Sequence, residues 1–291
     1  MCRLYGLQAT HPTTAACELL DAQNALIRQS REDARGLSNP HGWGVGHIVD
    51  SATGCARQVK PAGESADYRE RALAAEGTTV LAHVRRATVG SPDPMNTHPF
   101  RHGNALLIHN GHVPAFDAVR PHLLERIEAD RERLIQGTTD SEHVLALLLQ
   151  LRDERPEASL RDVTQSAIQH LQAWVRDARS GATVEPTDAD LQALPHEDLV
   201  DILGLNLLWT DGTVLAGSRL NRTLWLLERD TVPTCSICGQ EHAHPPGDAS
   251  YRASVLASER ITDEGWSAVP NGTVFTVDRR AGPTVEDLSG R

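Results

Sequence analysis

The first nine residues, MCRLYGLQA, leave the chain little latitude. Apolar and polar side chains already alternate there, which predicts a strand that begins at the amino terminus itself. Cys2 therefore stands on a rigid element and not on a frayed tail. Further strands are expected at NPHGWGVGHIVD, TTVLAHVRRAT and NALLIHNGHV, each beginning or ending in polar residues where chemistry can sit. SPDPMNTHP must be loop, because its prolines interrupt either regular element.

Apolar residues three and four apart predict a helix over TAACELLDAQNALIRQS and others over DAVRPHLLERIEADRERLI, TTDSEHVLALLLQLRD and LRDVTQSAIQHLQAWVRDA. The proline limits the regularity of DAVRPHLLERIEADRERLI. Thr139 or Asp140 caps the helix of TTDSEHVLALLLQLRD, which places Glu142 or His143 in its first turn. ILGLNLLWTDG, VLAGSR and TLWLLERD read as a strand meander, and SVLASE and GTVFTVD as closing strands. The acidic stretch 181–199 is loop-rich; it and 230–250 read as surface insertions. With 291 residues the chain is expected to form a single domain over 1–291, mixing strands and helices around one large core.

Composition narrows the functional classes. A net charge of -11, from 28 basic and 39 acidic residues, disfavours a nucleic-acid partner. No stretch approaches 18 uncharged apolar residues and no signal-peptide pattern opens the chain, so neither a membrane span nor export is expected. The five cysteines Cys2, Cys17, Cys55, Cys235 and Cys238 are too few and odd in number for a disulfide framework, which fits a reducing cytoplasm.

If Met1 is removed, Cys2 carries both a thiol and a free α-amino group. That amine has an ordinary pKa of about 7.7–8.0 and accepts the thiol proton near neutral pH. The thiolate then attacks a carbonyl and forms a thioester. The plain alternative is a cysteine buried in a strand. Downstream, Arg85 suits a carboxylate, Asn110 and Gly111 an oxyanion, and Asp140 an ammonium group. Those are the needs of a γ-linked glutamate amide. Taken singly, each has an ordinary role as a surface ion pair, a turn or a helix cap.

In their order and spacing, MC at the start, HGWG at 41–44, HVRRAT at 83–88, NTHPF at 96–100, HNG at 109–111 and TDSEH at 139–143 resemble the class II glutamine amidotransferases of the amino-terminal nucleophile hydrolases. ASERITDEGWSAVPNGTVFTV at 257–277 resembles the closing region of their compact bacterial members, which include the ergothioneine-pathway γ-glutamyl hydrolase. The resemblance implies an α+β fold, the four-layer αββα sandwich. It implies Cys2 as nucleophile, Asn110 and Gly111 as oxyanion donors, Arg85 and Asp140 as anchors for the glutamine α-carboxylate and α-ammonium, and Thr88 beside them. Trp43 and Gly44 of the GWG loop are implied to shape the pocket. Arg86 departs from the aromatic residue common there in larger synthases, which bears on the acceptor side. His83, His98 and His109 are expected to orient loops or satisfy core groups, since the α-amine already provides a base.

The implied reaction is cysteine-dependent hydrolysis of glutamine or another γ-glutamyl amide, with no cofactor required for catalysis. The chain lacks a Walker A segment and a dinucleotide fingerprint, which disfavours a fused synthase. Three readings stay open: a standalone hydrolase, an ammonia supplier to a separate synthase subunit, and a silent binding module. A homo-oligomer is compatible with each. CSICGQEHAH forms a second constellation, in which Cys235, Cys238, His242 and His244 offer donors for a structural zinc ion or, alternatively, free thiols on a polar insertion. Cys17 and Cys55 read as structural or incidental.

Overall fold

The computed structural model describes residues 2–179, 186–247 and 249–288. Met1, whose removal is expected above, and residues 181–185 of the acidic stretch lie outside them.

The strand expected at the amino terminus is β1 (Arg3–Thr14). Two short helices follow, α1 (Ala16–Leu20) and α2 (Leu26–Arg31), where the sequence predicts one. The break has a tertiary cause: Asn24 gives its backbone N–H to the Ile261 carbonyl and its side-chain amide to Glu259 and Arg260. Next come β2 (Trp43–Val49), β3 (Ala52–Gln58), α3 (Ala66–Leu73) and β4 (Glu76–Val84). Asp50 and Ser51 both have positive φ, which closes a tight hairpin between β2 and β3. Cys55 is therefore a half-buried residue of an edge strand.

After β5 (Phe100–His102) and β6 (Ala105–His112), the chain builds its second helical layer from α4 (Phe116–Arg126), α5 (Ala129–Glu132), α6 (Asp140–Glu154) and α7 (Leu160–Arg179). Thr139 caps α6, its hydroxyl accepting the Glu142 N–H at 3.4 Å. Within the acidic stretch, α8 (Asp188–Ala193) is held by a reciprocal capping box between Thr187 and Asp190. The remaining strands are β7 (Gly204–Thr210), β8 (Leu215–Arg219), β9 (Trp225–Arg229), β10 (Ala253–Ala257), β11 (Ser267–Ala268), β12 (Thr273–Asp278) and β13 (Gly282–Asp287).

All pairings are antiparallel and fall into two sheets, one ordered β11-β9-β10-β1-β4-β2-β3 and the other β13-β12-β8-β7-β6-β5. The expected meander is corrected here. β7 and β8 form a hairpin, but the chain crosses to the other sheet before β9. Asn221, at φ 58°, turns the crossing, and its side-chain amide bonds Leu203.

Alternation sorts each strand into two apolar layers. On β1, Leu4 faces the opposite sheet and joins Leu81 and Leu256 of its own sheet with Ile108 and Leu208 of the other in one apolar layer, while Tyr5, Leu7 and Ala9 face α1–α3. On β6, Leu106 and Ile108 point between the sheets and Leu107 points to α6 and α7. Helices thus cover the outer face of each sheet, which makes the four-layer αββα sandwich. Gly6 lets the sheets approach, since a Cβ there would lie 2.7 Å from Leu208.

Candidate active site

Cys2 directly precedes β1 and shares the parity of Leu4, so it sits at the rim of the inter-sheet layer. Its backbone is fixed by Arg3, which is buried. The guanidinium meets Glu259 at 2.5 Å and Asp33 at 2.9 Å, and it donates to the Cys2 carbonyl at 3.0 Å. The Cys2 sulfur lies 3.3 Å from both the backbone nitrogen and the carbonyl oxygen of Arg86. This follows from register: Arg3 pairs Val84, so the residues just beyond β4 pass the sulfur.

The loop beyond β4 is shaped from both sides. His41 and Gly42 of the HGWG segment exchange backbone bonds with Arg85, and the His41 Nδ1 accepts the Ala87 N–H at 2.8 Å. Burial and the cations of Arg85 and Arg86 lower the His41 pKa, which keeps that nitrogen an acceptor. The Arg85 guanidinium is buried and donates to the carbonyls of Val89, Gly90 and Ser91 at 2.8–3.2 Å. Arg85 thereby organises the loop that carries Thr88.

From the other sheet, Asn110 projects between the layers and its amide donates to the Ser258 hydroxyl at 3.2 Å. Ser258 also accepts the Leu4 N–H at 3.0 Å, so one hydroxyl ties the start of β1 to β6. The Asn110 carbonyl oxygen is buried without a partner. Gly111 follows where β6 crowds β7: a Cβ would fall 1.8 Å from the Gly204 carbonyl oxygen. Behind them, Asp140 begins α6, where a helix amino terminus favours a carboxylate. It accepts the N–H of Val113 at 2.9 Å and of Ser141 at 2.7 Å, with His112 Nδ1 at 3.7 Å.

Cys2, Arg86, Thr88, Gly111, His112, Leu199, Val200 and Arg222 line one cavity. Thr88 and His112 also line an adjoining cleft of about 510 Å³, which runs past Phe116, Asp117 and Thr138 to Arg120. Leu199 ends the stretch read as a surface insertion and Val200 follows it; Arg222 ties them down by donating to the Leu199 carbonyl. Burial lowers Arg222 to about 10.

Of the residues expected in the pocket, Cys2, Thr88 and Gly111 line this cavity; Asn110, Arg85 and Asp140 are buried and do not line it, although Asp140 lies 3.7 Å from His112, which does. Trp43 is a correction. It shares the parity of Val45, so its indole points to the helical side of the sheet and meets Tyr68 edge to face. Gly44 points the other way, and a Cβ there would lie 2.0 Å from the His98 carbonyl oxygen. His83, His98 and His109 are all buried, and burial lowers each pKa. His109 is a neutral tie: its Nε2–H donates to Gly204 and its Nδ1 accepts from Ser141.

The second constellation also changes. Cys17, Cys235, Cys238 and His242 bring their ligand atoms within 4.8 Å of one another and can together hold a metal ion. His244 is exposed and outside this group; the fourth donor comes from α1.

Residues 1–187 match the family described as class-II glutamine amidotransferases. The chain belongs to this family. Among curated relatives, the gamma-glutamyl-hercynylcysteine sulfoxide hydrolase of Mycolicibacterium smegmatis is 38% identical, across 89% of this chain and 88% of that one. A probable glutamine amidotransferase of Saccharomyces cerevisiae is 25% identical, across 96% and 82%. The fold matches a class-II domain protein from Silicibacter pomeroyi with a TM-score of 0.60 at 19% identity, across 98% and 99% of the two chains. The structure of a predicted glutamine amidotransferase from Pseudomonas aeruginosa gives 0.54 at 20% identity, across 96% and 98%. This class II amidotransferase is accordingly an enzyme of glutamine or γ-glutamyl amide chemistry. No helix among its described residues is long and apolar enough to cross a membrane.

Sequence reading did not single out four residues of the site: His41, His112, Arg222 and Ser258. His41, His112 and Ser258 lie inside quoted motifs, but only their contacts separate them from their neighbours. Arg222 and Leu199 carry no local signal at all.

Proposed function

We propose that the protein hydrolyses γ-glutamyl amides through a thioester on Cys2, with glutamine as the smallest such substrate. The observation that carries this reading is the cavity shared by Cys2, Thr88 and Gly111, whose lining residues His112 and Arg86 lie respectively 3.7 Å from Asp140 and next in the chain to Arg85. With Met1 removed, the α-amine of Cys2 takes the thiol proton and the sulfur attacks the γ-carbonyl. Asn110 and Gly111 donate to the oxyanion, while Arg85 and Asp140 hold the glutamyl α-carboxylate and α-ammonium. The C–N bond breaks as the α-ammonium of Cys2 returns the proton to the leaving amine. Water then cleaves the thioester, releasing glutamate and restoring the thiol. The chain supplies every proton donor and acceptor these steps use.

Two features favour a leaving amine larger than ammonia and bearing an anionic group. Arg86 and Arg222 both line the Cys2 cavity, and neither has a carboxylate among its hydrogen-bond partners there. The relative that is similar over almost its whole length is named for a γ-glutamyl sulfoxide substrate. Supply of ammonia to a separate synthase is the second reading, supported by the amidotransferase relatives.

The test compares glutamate release from glutamine, γ-glutamyl dipeptides and γ-glutamyl amides of neutral amines, alongside intact mass and labelling by an irreversible glutamine analogue. The expected outcome is label on Cys2, no activity in Cys2→Ala and preference for an anionic leaving group. Glutamate release by rigorously purified Cys2→Ala protein would sink the mechanism; preference for glutamine would favour ammonia supply.

A further inference from the structure

We infer that Cys17, Cys235, Cys238 and His242 form a tetrahedral zinc site that clasps the loop after β9 onto helix α1. Three thiolates and one imidazole are a complete structural donor set for zinc, leaving no open position for a substrate. The four donor atoms already lie within 4.8 Å of one another.

The loop has the shape such a site requires. Cys235 and Cys238 flank a tight knuckle in which the Ile237 N–H points at the Cys235 sulfur at 3.4 Å. The Gly239 N–H bonds the Cys235 carbonyl at 2.8 Å, and Gly239 has φ +72°. Thr234 and Glu241 bridge across its base. Backbone N–H groups aimed at sulfur stabilise a thiolate, which is the form that binds metal.

A supporting shell is also present. His242 turns Nε2 toward Cys238, at 3.4 Å, and Nδ1 toward Glu18 Oε2, at 3.8 Å. That carboxylate oxygen is buried and has no hydrogen-bond partner, while the other oxygen of Glu18 meets Arg229 at 3.1 Å. A metal on Nε2 fixes the proton on Nδ1, facing the orphan oxygen, which is how carboxylates commonly orient metal-bound histidine.

The clasp explains how a polar stretch stays on the fold. Around it, Ala243 bridges Thr13 and the His242 carbonyl accepts the Thr14 N–H, so the loop closes over the far end of the strand that Cys2 precedes. Zinc binding displaces three thiol protons and needs no redox partner. The site is a fastening and takes no part in amide cleavage.

The test is metal analysis of protein produced in zinc-supplemented medium and purified with a thiol reductant and no chelator. About one zinc per chain is expected, since four donors complete one site. Titration with a mercurial should release zinc in step with modification of three thiols, while Cys2 and Cys55 react without releasing it. Cobalt substitution should give the intense visible bands of a tetrahedral thiolate site. Cys17→Ser should lose most of the zinc, and His244→Ala should keep it. Metal-free protein from that preparation, iron in place of zinc, or loss in His244→Ala with retention in Cys17→Ser would each overturn the assignment. The thiol titration reads the wild-type protein, so it decides the question even if Cys17→Ser fails to fold.

Discussion

The sulfur of Cys2 rests 3.3 Å from the backbone N–H of Arg86, so the residue after the proposed carboxylate anchor touches the proposed nucleophile through its main chain. The Arg86 side chain, by contrast, reaches the Ser38 carbonyl and the cavity wall. Backbone and side chain therefore have separable effects. Arg86→Ala should leave glutamine hydrolysis within a few fold and lower kcat/KM for anionic γ-glutamyl amides by roughly tenfold, about 1.4 kcal/mol. Equal losses on both substrates in steady-state assays would contradict that division.

Arg85 holds three consecutive carbonyls with one planar fork, which a lysine ammonium cannot reproduce. Arg85→Lys should cost about 1.5–3 kcal/mol of transition-state binding, or roughly 10- to 150-fold in kcat/KM. The defect should appear in KM as well as kcat, because the same side chain shapes the loop and is proposed to hold the substrate. Unchanged kinetics on any γ-glutamyl amide would remove Arg85 from the site.

Gly111 is fixed by its neighbour and not by its own φ. A methyl group there meets a backbone carbonyl that cannot step aside without breaking the β6–β7 ladder. Gly111→Ala should destabilise the fold by about 1–3 kcal/mol, as overpacking does. Denaturant midpoints at constant m-value will measure it, and a midpoint equal to the parent's would show the strands are free to part.

The buried histidines predict an acid-sensitive fold. Burial pushes His83 down to about 3 from an ordinary 6.5, and His98 and His109 are also lowered. Above 6.5 these rings are neutral whether the chain is folded or not. Below it the unfolded chain takes up protons that the folded one refuses, so stability falls as pH drops from about 6.5 toward 3. Each ring steepens the loss by at most about 1.4 kcal/mol per pH unit. His98 has no hydrogen-bond partner on either nitrogen and packs against His83 and Phe100. His98→Phe should therefore unfold with a shallower dependence between pH 7 and 5; an unchanged slope in urea titrations would refute this account.

Much of the architecture is legible in the sequence where local pattern and final contacts agree. β4, β6, α6 and α7 fall where alternation and three-to-four spacing place them, because each buries a face along its own length. Alternation tells inward from outward but not which sheet a strand joins, so β9 reads as a continuation of β8. The same blindness hides Trp43: being next to Gly44 in sequence puts it on the opposite face of the sheet. Cys17 escapes because its partners lie more than two hundred positions away, and nothing near it in the chain announces a metal. His244 is the converse case, a residue of suitable type and spacing that the turn leaves outside.

The order of strands in the larger sheet bears on how the protein is made. β1 lies between β4, which follows it early, and β10, which belongs to the last fifth of the chain. During synthesis the strand next to the proposed nucleophile waits with one ladder open until Ala253–Ala257 emerges. A chain cut short before that point keeps Cys2, Arg85, Asn110 and Asp140 but presents an unpaired β1 edge, a template for aggregation. It also lacks Ser258 and Glu259, the partners of Asn110 and Arg3. Arrival of β10 is thus the checkpoint at which the strand that follows Cys2 gains its second ladder and the proposed site its last supports.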